Sequence, residues 1–514
     1  MRIDKVYIEN FKNLINFEID LAEDFMETVL IGQNATGKSN LIEALVLIFK
    51  YLDIESTPNF SYTIEYFCRG YKVKVEFDTK RTFYIDDTKI TIKDFYERRN
   101  DYLPKYVFTY YSGLSNRLEE HFNDHQKRFY DKIIKSNIDA VEIEDLRKLF
   151  YVRLIHSYFV LLAFFSFEDD ESSRFLKDYL GIEDIESILF ILKDPGWKGN
   201  DDPRFWGATG LVKDFLDKVW NYSIAPIYYI GKDYPDFRSK GVDQPRLCLY
   251  ISDKNKLKEI AKFYTSNTEF FKALESTYIS NLIQEIKVKV KKRNVQGELT
   301  FKELSEGEQQ LLTVLGLLKF TKDEESLILL DEPDTHLNPL WKWQYLKLLK
   351  EVVQKHETTQ IILNTHDPLV IGSMTKEQVR IFTKDKDTGR TVVFEPETDP
   401  KGLGVAGILT SELFGLPTTL DEETQKTLDD KHRLTAKQQQ GRLSSEERKE
   451  LDEALQKLEG LGFTRTFRDP LYQKFVTAWH QQERFQKPSL TPEEVKEQNE
   501  LALSLLREIM EEEQ

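Results

Sequence analysis

Val29-Leu-Ile-Gly32-Gln33-Asn34-Ala35-Thr36-Gly37-Lys38-Ser39-Asn40 is the stretch on which the fold turns. A short apolar run stops at a glycine, and after Lys38 the apolar residues Leu41, Leu45, Ile48 and Leu52 take up helical spacing. Between strand and helix lies GxxxxGK[ST], whose glycines let the backbone wrap around phosphates. Consecutive N–H groups and the helix N-terminus then face negative charge. The expectation is that Gly32, Gln33, Asn34, Ala35, Thr36, Gly37, Lys38, Ser39 and Asn40 bind a nucleotide, ATP with Mg²⁺. Lys38 reaches the β- and γ-phosphates, and the Ser39 hydroxyl takes one Mg²⁺ position.

The second element is Ser326-Leu-Ile-Leu-Leu-Asp331-Glu332-Pro333. Its apolar run buries a central strand, and the two acids emerge at the carboxyl end, where sheets of this class hold ligands. Asp331 is the expected metal residue, acting through a water. Glu332 is placed to orient and deprotonate an attacking water. An apolar strand followed by Asp-Glu is common in α/β proteins; its value lies in accompanying the glycine-rich turn. Gln360-Ile-Ile-Leu-Asn-Thr365-His366 reads as another buried strand with a polar tip. A histidine there is usually incidental, and its place after the acidic strand is what marks it out.

Leu304-Ser305-Glu306-Gly307-Glu308-Gln309-Gln310 begins a helix before the acidic strand. Ser305 with Glu308 three residues on reads as a capping box. No Ser/His/Asp order, HExxH or His/Cys ligand cluster offers a rival chemistry. No carboxylate cluster after residue 375 suggests a nuclease centre.

Around these motifs, 514 residues with 34 Phe and 24 Tyr exceed one compact core. The richest apolar run, Phe159–Phe167, is too short to span a membrane, so no membrane partner is expected. Cys68 and Cys248 are too few for a disulfide framework, and a cytoplasmic setting follows. A formal charge of −16 argues against a chain coated in DNA, without excluding a local basic stripe. Residues 62–92 alternate as an antiparallel meander, with Gly70 and Asp86–Asp87 supplying turns. Four segments are expected: 1–115, the N-terminal half of an ATPase head; 116–285, a mainly helical insertion; 286–418, the C-terminal half; and 419–514, a helical C-terminal region opened at its last helix by Thr491-Pro-Glu-Glu494.

With these motifs in order, the chain resembles the RecF/SMC/overcoming-lysogenization branch of ABC ATPases over roughly residues 1–115 and 285–395. The resemblance implies an α/β fold: an ABC-type head, a mixed sheet with an antiparallel subdomain, plus a helical insertion and a C-terminal helical appendage. It implies that Ser305 and Gly307 form a signature motif binding the γ-phosphate held by a second copy, although Glu306 replaces the usual first glycine. It makes His366 the switch histidine, a catalytic residue beside Glu332, and Asp334-Thr-His336-Leu337-Asn338 the loop crossing a dimer interface. It also implies a Gln after Tyr106–Ser112, which the sequence lacks.

Tyr110-Tyr-Ser-Gly113 with Asn116-Arg117-Leu118, Leu409–Leu416 and Arg468-Asp-Pro-Leu-Tyr472 add a narrower resemblance, to the PtuA-like ATPases of Septu anti-phage systems. That implies an oligomer, a partner HNH nuclease of PtuB type, and, in retron-linked versions, a reverse transcriptase with its RNA–DNA product. The rival reading is a DNA-repair ATPase that clamps DNA, for which Lys287-Val-Lys289-Val-Lys291-Lys292-Arg293 supplies cations. As a strand, the same lysines also fit an ordinary solvated face.

Overall fold

Alternating apolar residues build the first sheet. β1 (Arg2–Phe11), β2 (Leu14–Asp20), β4 (Tyr62–Cys68), β5 (Tyr71–Phe77), β6 (Arg81–Ile85) and β7 (Thr88–Ile90) lie in the order β2-β1-β4-β5-β6-β7. Their paired neighbours run antiparallel. The turns are where the residue types place them. Lys12 and Asn13 connect β1 to β2, Gly70 has φ +83°, and Asp86 and Asp87 take φ +47° and +62°. Asp and Gly tolerate that left-handed region better than branched residues.

The second sheet holds the phosphate-loop strand β3 (Glu27–Gly32), with β8 (Tyr106–Tyr111), β9 (Leu149–Tyr151), β15 (Ser326–Asp331), β16 (Thr359–Asn364), β17 (Val379–Lys384) and β18 (Thr391–Phe394). Its order is β18-β17-β3-β16-β15-β8-β9. The pairs from β3 through β16, β15 and β8 to β9 are parallel. β15 and β16 are buried along their whole length, as a central parallel strand must be. The register sets Asp331 opposite Asn364 on one side and Tyr111 on the other. The helix Lys38–Asp53 is buried almost all round. Leu41, Leu45, Ile48 and Leu52 join one core with Val6 and Ile8 of the antiparallel sheet and Leu329 and Ile362 of the parallel one. Gln360, fully buried on β16, accepts from the Ile3 N–H at 2.8 Å and donates to the Ile3 carbonyl at 3.1 Å, so its amide links the two sheets without an orphaned group.

Residues 116–285, expected mainly helical, hold more than helices. β10 (Ile182–Lys193), β11 (Ile224–Asp233) and β12 (Val242–Ile251) join β13 (Ile283–Lys292) and β14 (Leu299–Thr300) in a sheet of order β11-β12-β10-β13-β14. The edge strand β11 is exposed along most of its length, so no inward alternation marks it in the sequence. The helix Ile155–Phe167 contains the Phe159–Phe167 run and is buried on every side. It packs on the helix Glu306–Lys319, where a Cβ at Gly316 would fall 2.2 Å from Val160 Cγ1. Helices apolar all round belong inside proteins.

This computed structural model describes residues 1–21, 24–113, 117–133, 148–167, 170–196, 202–234, 236, 238, 240–293, 295, 299–319, 325–352, 358–461, 463, 475, 478–479 and 492–511. Asn116, the Arg468–Tyr472 motif and the Thr491 cap lie outside the described residues. The chain divides into two compact units: residues 1–30, 34–370 and 382–394, and residues 31–33, 371–381 and 395–514. In the second unit, the helices Glu422–Gln439 and Ser445–Gly460 pack together. Leu434, Leu451 and Leu458 are buried there, and Lys437 pairs with Glu447 at 2.6 Å. Among the described residues, no helix is long and apolar enough to cross a membrane.

Candidate nucleotide site

The loop after β3 turns on residues with positive φ: Gly32 at +136°, Ala35 at +64° and Gly37 at +105°. Gly37 is also crowded. A Cβ there would sit 2.8 Å from Leu14 Cδ2 and 2.9 Å from Asn13 Oδ1, so both backbone angle and space require glycine. Gln33, Asn34 and Ala35 stand exposed at the crest, whereas Thr36, Gly37 and Lys38 are buried at the base. Burial pulls the Lys38 ammonium down to about 8, with the charges of Glu332 and Asp331 opposing the shift.

Ser39, Asp331 and Asn364 converge at the ends of adjacent elements. The Ser39 hydroxyl donates to Asp331 Oδ1 at 3.1 Å, and the Asn364 amide donates to the same oxygen. Asp331 is fully buried, yet its Oδ2 has no hydrogen-bond partner. Burial pushes its carboxyl above the usual range, against the hydrogen bonds from Asn364 and Ser39 and the charge of Arg117. A buried, partnerless carboxylate oxygen beside a hydroxyl is costly alone, and it is the hard-oxygen donor set that a Mg²⁺ ion takes. The residues present fit that ion.

Glu332 follows with φ +53°, a strained angle for glutamate, held by its N–H donating to the Asn364 carbonyl at 2.9 Å. Its Oε1 lies 3.4 Å from His366 Nε2. Burial and the Lys38 charge hold the His366 imidazole below its ordinary pKa, against the pull of Asp331. The pair is half-exposed and so open to a bound molecule. Asp334 is buried, accepts from Thr365 Oγ1 at 2.9 Å, and is pushed by burial up to about 6.

The structure gives Ser305 its capping geometry. The Ser305 hydroxyl accepts from the Glu308 N–H at 3.3 Å, and the Ser305 N–H donates to Glu308 Oε2 at 2.9 Å. Gly307 is buried against the loop after Glu332, and a Cβ there would be 2.5 Å from the His336 carbonyl oxygen. His336 pairs with Glu306 at 3.1 Å, and the Gln310 amide oxygen accepts from the His336 N–H at 3.1 Å. The helix start and the Asp334–Asn338 loop thus form one surface, with Ser305 exposed on it.

Three residues enter the site that the motifs did not assign. Asn364 is the strand-end neighbour of Asp331, visible in sequence only as a polar residue closing an apolar run. Ser112 stands at the end of β8: its N–H donates to the Asp331 carbonyl at 3.2 Å, and its hydroxyl lies 3.1 Å from Thr335 Oγ1. Arg117 reaches Asn40 Oδ1 at 3.3 Å and Glu43 at 3.4 Å. Lys287, Lys289 and Lys291 are exposed on one face of β13, with Lys287 3.7 Å from Glu285.

A family model described as "AAA domain, putative AbiEii toxin, Type IV TA system" matches residues 28–372, about two thirds of the chain. The "Septu protein PtuA" of Bacillus mycoides (strain KBAB4) is 26% identical over 233 residues, 43% of this chain and 32% of that protein. The "Retron Vc95 probable ATPase" of Vibrio cholerae serotype O1 biovar El Tor is 30% identical over 128 residues, 22% of this chain and 23% of that protein. The matched stretches therefore span about a third and about a quarter of those relatives. Among solved structures, the SMC head domain from Thermotoga maritima aligns over 77% of this chain and 100% of its own, with 15% identity and a TM-score of 0.32.

Proposed function

This chain belongs to the family described as "AAA domain, putative AbiEii toxin, Type IV TA system", and from that premise we propose that it binds and hydrolyses ATP. The observation that carries the proposal is the joining of Ser39, Asp331 and Asn364 at the base of the phosphate loop, with Asp331 Oδ2 left over. Ser39 and Asp331 would hold Mg²⁺, which neutralises phosphate charge as it builds up. Lys38 meets the phosphates from the helix base. Glu332 accepts the proton of the attacking water. His366, whose Nε2 lies 3.4 Å from Glu332 Oε1, faces the same space. Steady-state phosphate release with Mg·ATP tests this. Glu332→Gln is expected to abolish turnover while nucleotide binding persists, and unchanged turnover in that variant overturns the assignment.

The site is completed by a second copy in this proposal, whose Ser305 and Gly307 cover the γ-phosphate. Ser305 exposed at a helix start, beside the His336 loop, supports that reading. ATP binding tighter to joined heads than to separate ones then drives association, and hydrolysis releases it. At the level of the organism, the Septu and retron relatives support a role in anti-phage defence. There the ATPase cycle controls a partner HNH nuclease, with a reverse transcriptase and its RNA–DNA product as the further partner of a retron-linked version. Co-purification with the products of neighbouring genes tests the partnership; recovery of the chain alone, with and without ATP, counts against it.

The exposed lysines of β13 favour a second reading, direct contact with nucleic acid. A salt-dependent DNA affinity that disappears when Lys287, Lys289 and Lys291 are changed to Glu supports it, and an affinity indifferent to those changes removes it.

A further inference from the structure

A chain of hydrogen bonds runs from the crest of the phosphate loop to the segment after β8. Asn13 Nδ2 donates to the Ala35 carbonyl at 3.0 Å, and Asn40 Nδ2 donates to Asn13 Oδ1 at 2.6 Å. Arg117 Nη2 then donates to Asn40 Oδ1 at 3.3 Å, and lies 3.4 Å from Glu43 Oε2. Glu43 is itself fixed. It is 3% exposed, takes the Lys12 ammonium at 2.5 Å, and has His121 Nε2 3.1 Å from its Oε1. Burial pushes its carboxyl up, but the His121 and Lys12 hydrogen bonds and the charges of Lys12 and Arg117 outweigh that and hold it below the usual range.

The loop this chain supports is strained. Ala35 is at φ +64°, and Gly37 at φ +105° leaves no room between itself and Asn13. Strained backbone persists only where its surroundings hold it. Arg117 follows the strand end that flanks the metal carboxylate, since Tyr111 is in register with Asp331, and the guanidinium lies 5.8 Å from the centre of the Tyr111 ring. One nitrogen, Nη2, reaches both Asn40 and Glu43 while the planar guanidinium stays beside the Tyr111 ring, a placement that a lysine ammonium on a flexible stem does not reproduce.

We propose that Arg117 is a positioning residue for the phosphate loop: it fixes Asn40 against Asn13, and so the Ala35 carbonyl, and thereby makes loop shape depend on the placement of the chain leaving β8. The proposal rests on the reading of this loop as an ATP site. Any movement of the insertion that draws Arg117 away from Asn40 loosens the loop and weakens the nucleotide. Conversely, a nucleotide that fixes the loop restrains the start of the insertion, because linked equilibria are reciprocal.

The test is Mg·ATP titration and steady-state phosphate release on the full chain. Arg117→Gln is expected to raise KM about tenfold while kcat falls less than about threefold, the pattern of lost uniform binding. Arg117→Lys keeps the charge and recovers less than half of that loss. Asn13→Ala produces a similar KM, and the Arg117→Gln/Asn13→Ala double variant is no worse than about twofold beyond the poorer single, because both act through one chain. If Arg117→Gln does not fold, Arg117→Lys with Asn13→Ala completes the same cycle. A KM within about twofold of wild type in the Arg117 variants, or effects that simply multiply, overturns the proposal. A wild-type chain that neither binds nor hydrolyses Mg·ATP overturns the ATP-site reading and this proposal with it. Active wild type beside unaffected variants overturns this proposal alone.

Discussion

The hydroxyl of Ser39 donates to Oδ1 of Asp331 across 3.1 Å, joining residues 292 positions apart in the chain. Asn364 fills the remaining approach to that oxygen, so Oδ2 is the side of Asp331 left for a cation. Asp331→Asn removes a buried charge that folding disfavours, and its expected result has two parts. The nucleotide-free protein melts at a higher temperature than wild type, and hydrolysis is lost. Ser39→Ala leaves the carboxylate and removes the neighbouring oxygen, so it raises the Mg²⁺ concentration for half-maximal phosphate release by about tenfold or more. Thermal melts and a Mg²⁺ titration check both parts.

Asp334 predicts a pH effect with a defined sign. Burial raises its carboxyl from 3.8 in the unfolded chain to about 6. The folded state therefore binds more protons than the unfolded state between those values. Stability from this group is greatest below the lower value, falls as pH rises towards 6, and stays reduced above it. Asp334→Asn keeps an oxygen to accept from Thr365 and removes the buried charge. It is expected to stabilise the protein at pH 7 by up to about 3 kcal/mol, with the advantage shrinking as pH falls to 5. Denaturant melts of both proteins at pH 5, 6 and 7 measure it; an advantage independent of pH contradicts the cause given.

How much was legible in the sequence follows from how the chemistry is spread along the chain. A phosphate cradle needs consecutive backbone N–H groups, so Gly32–Ser39 is contiguous and can be read directly. Asp331 and Glu332 are equally plain, because a fully buried strand shows as an apolar run ending in acids. Asn364 and Arg117 act across strand register and across 77 positions, and neither is more than a polar residue in its own neighbourhood. No glutamine in the sequence can be assigned to the position that the resemblance implies after β8, and that Ser112 and Arg117 reach the site from that region is a fact of packing. The β10–β13 sheet was not foreseen for a different reason. β11 is an edge strand exposed on most of its residues, including Ile227 and Ile230, so burial imposed no alternation on it.

Gly37 sets a limit on the loop that a single methyl tests. Gly37→Ala must adopt φ +105° and place a carbon 2.8 Å from Leu14 Cδ2, against backbone preference and packed side chains together. A left-handed residue under strain costs on the order of 1–3 kcal/mol. The expected outcome is a lower melting temperature with Mg·ATP binding reduced at least about tenfold, since the N–H groups can no longer converge. Calorimetric titration of the folded variant separates the two effects, and binding equal to wild type would show that the loop does not hold phosphate.

The shared-site proposal can be tested by mixing two inactive proteins. Lys38→Ala disables the phosphate loop of one copy and leaves its Ser305 surface intact, whereas Ser305→Arg does the reverse. In a two-fold dimer with each copy completing the other's site, a mixed pair contains one site built from two damaged halves and one built from two intact halves. Random pairing makes half the dimers mixed, so hydrolysis should return to about a quarter of the wild-type rate per chain if the sites act independently. If each copy completed its own site, every chain in the mixture would carry a defect, and mixing would restore nothing. Phosphate release measured against mixing ratio distinguishes these cases: a curve with its maximum at equal amounts requires sharing, and a flat line at the background of the separate variants excludes it.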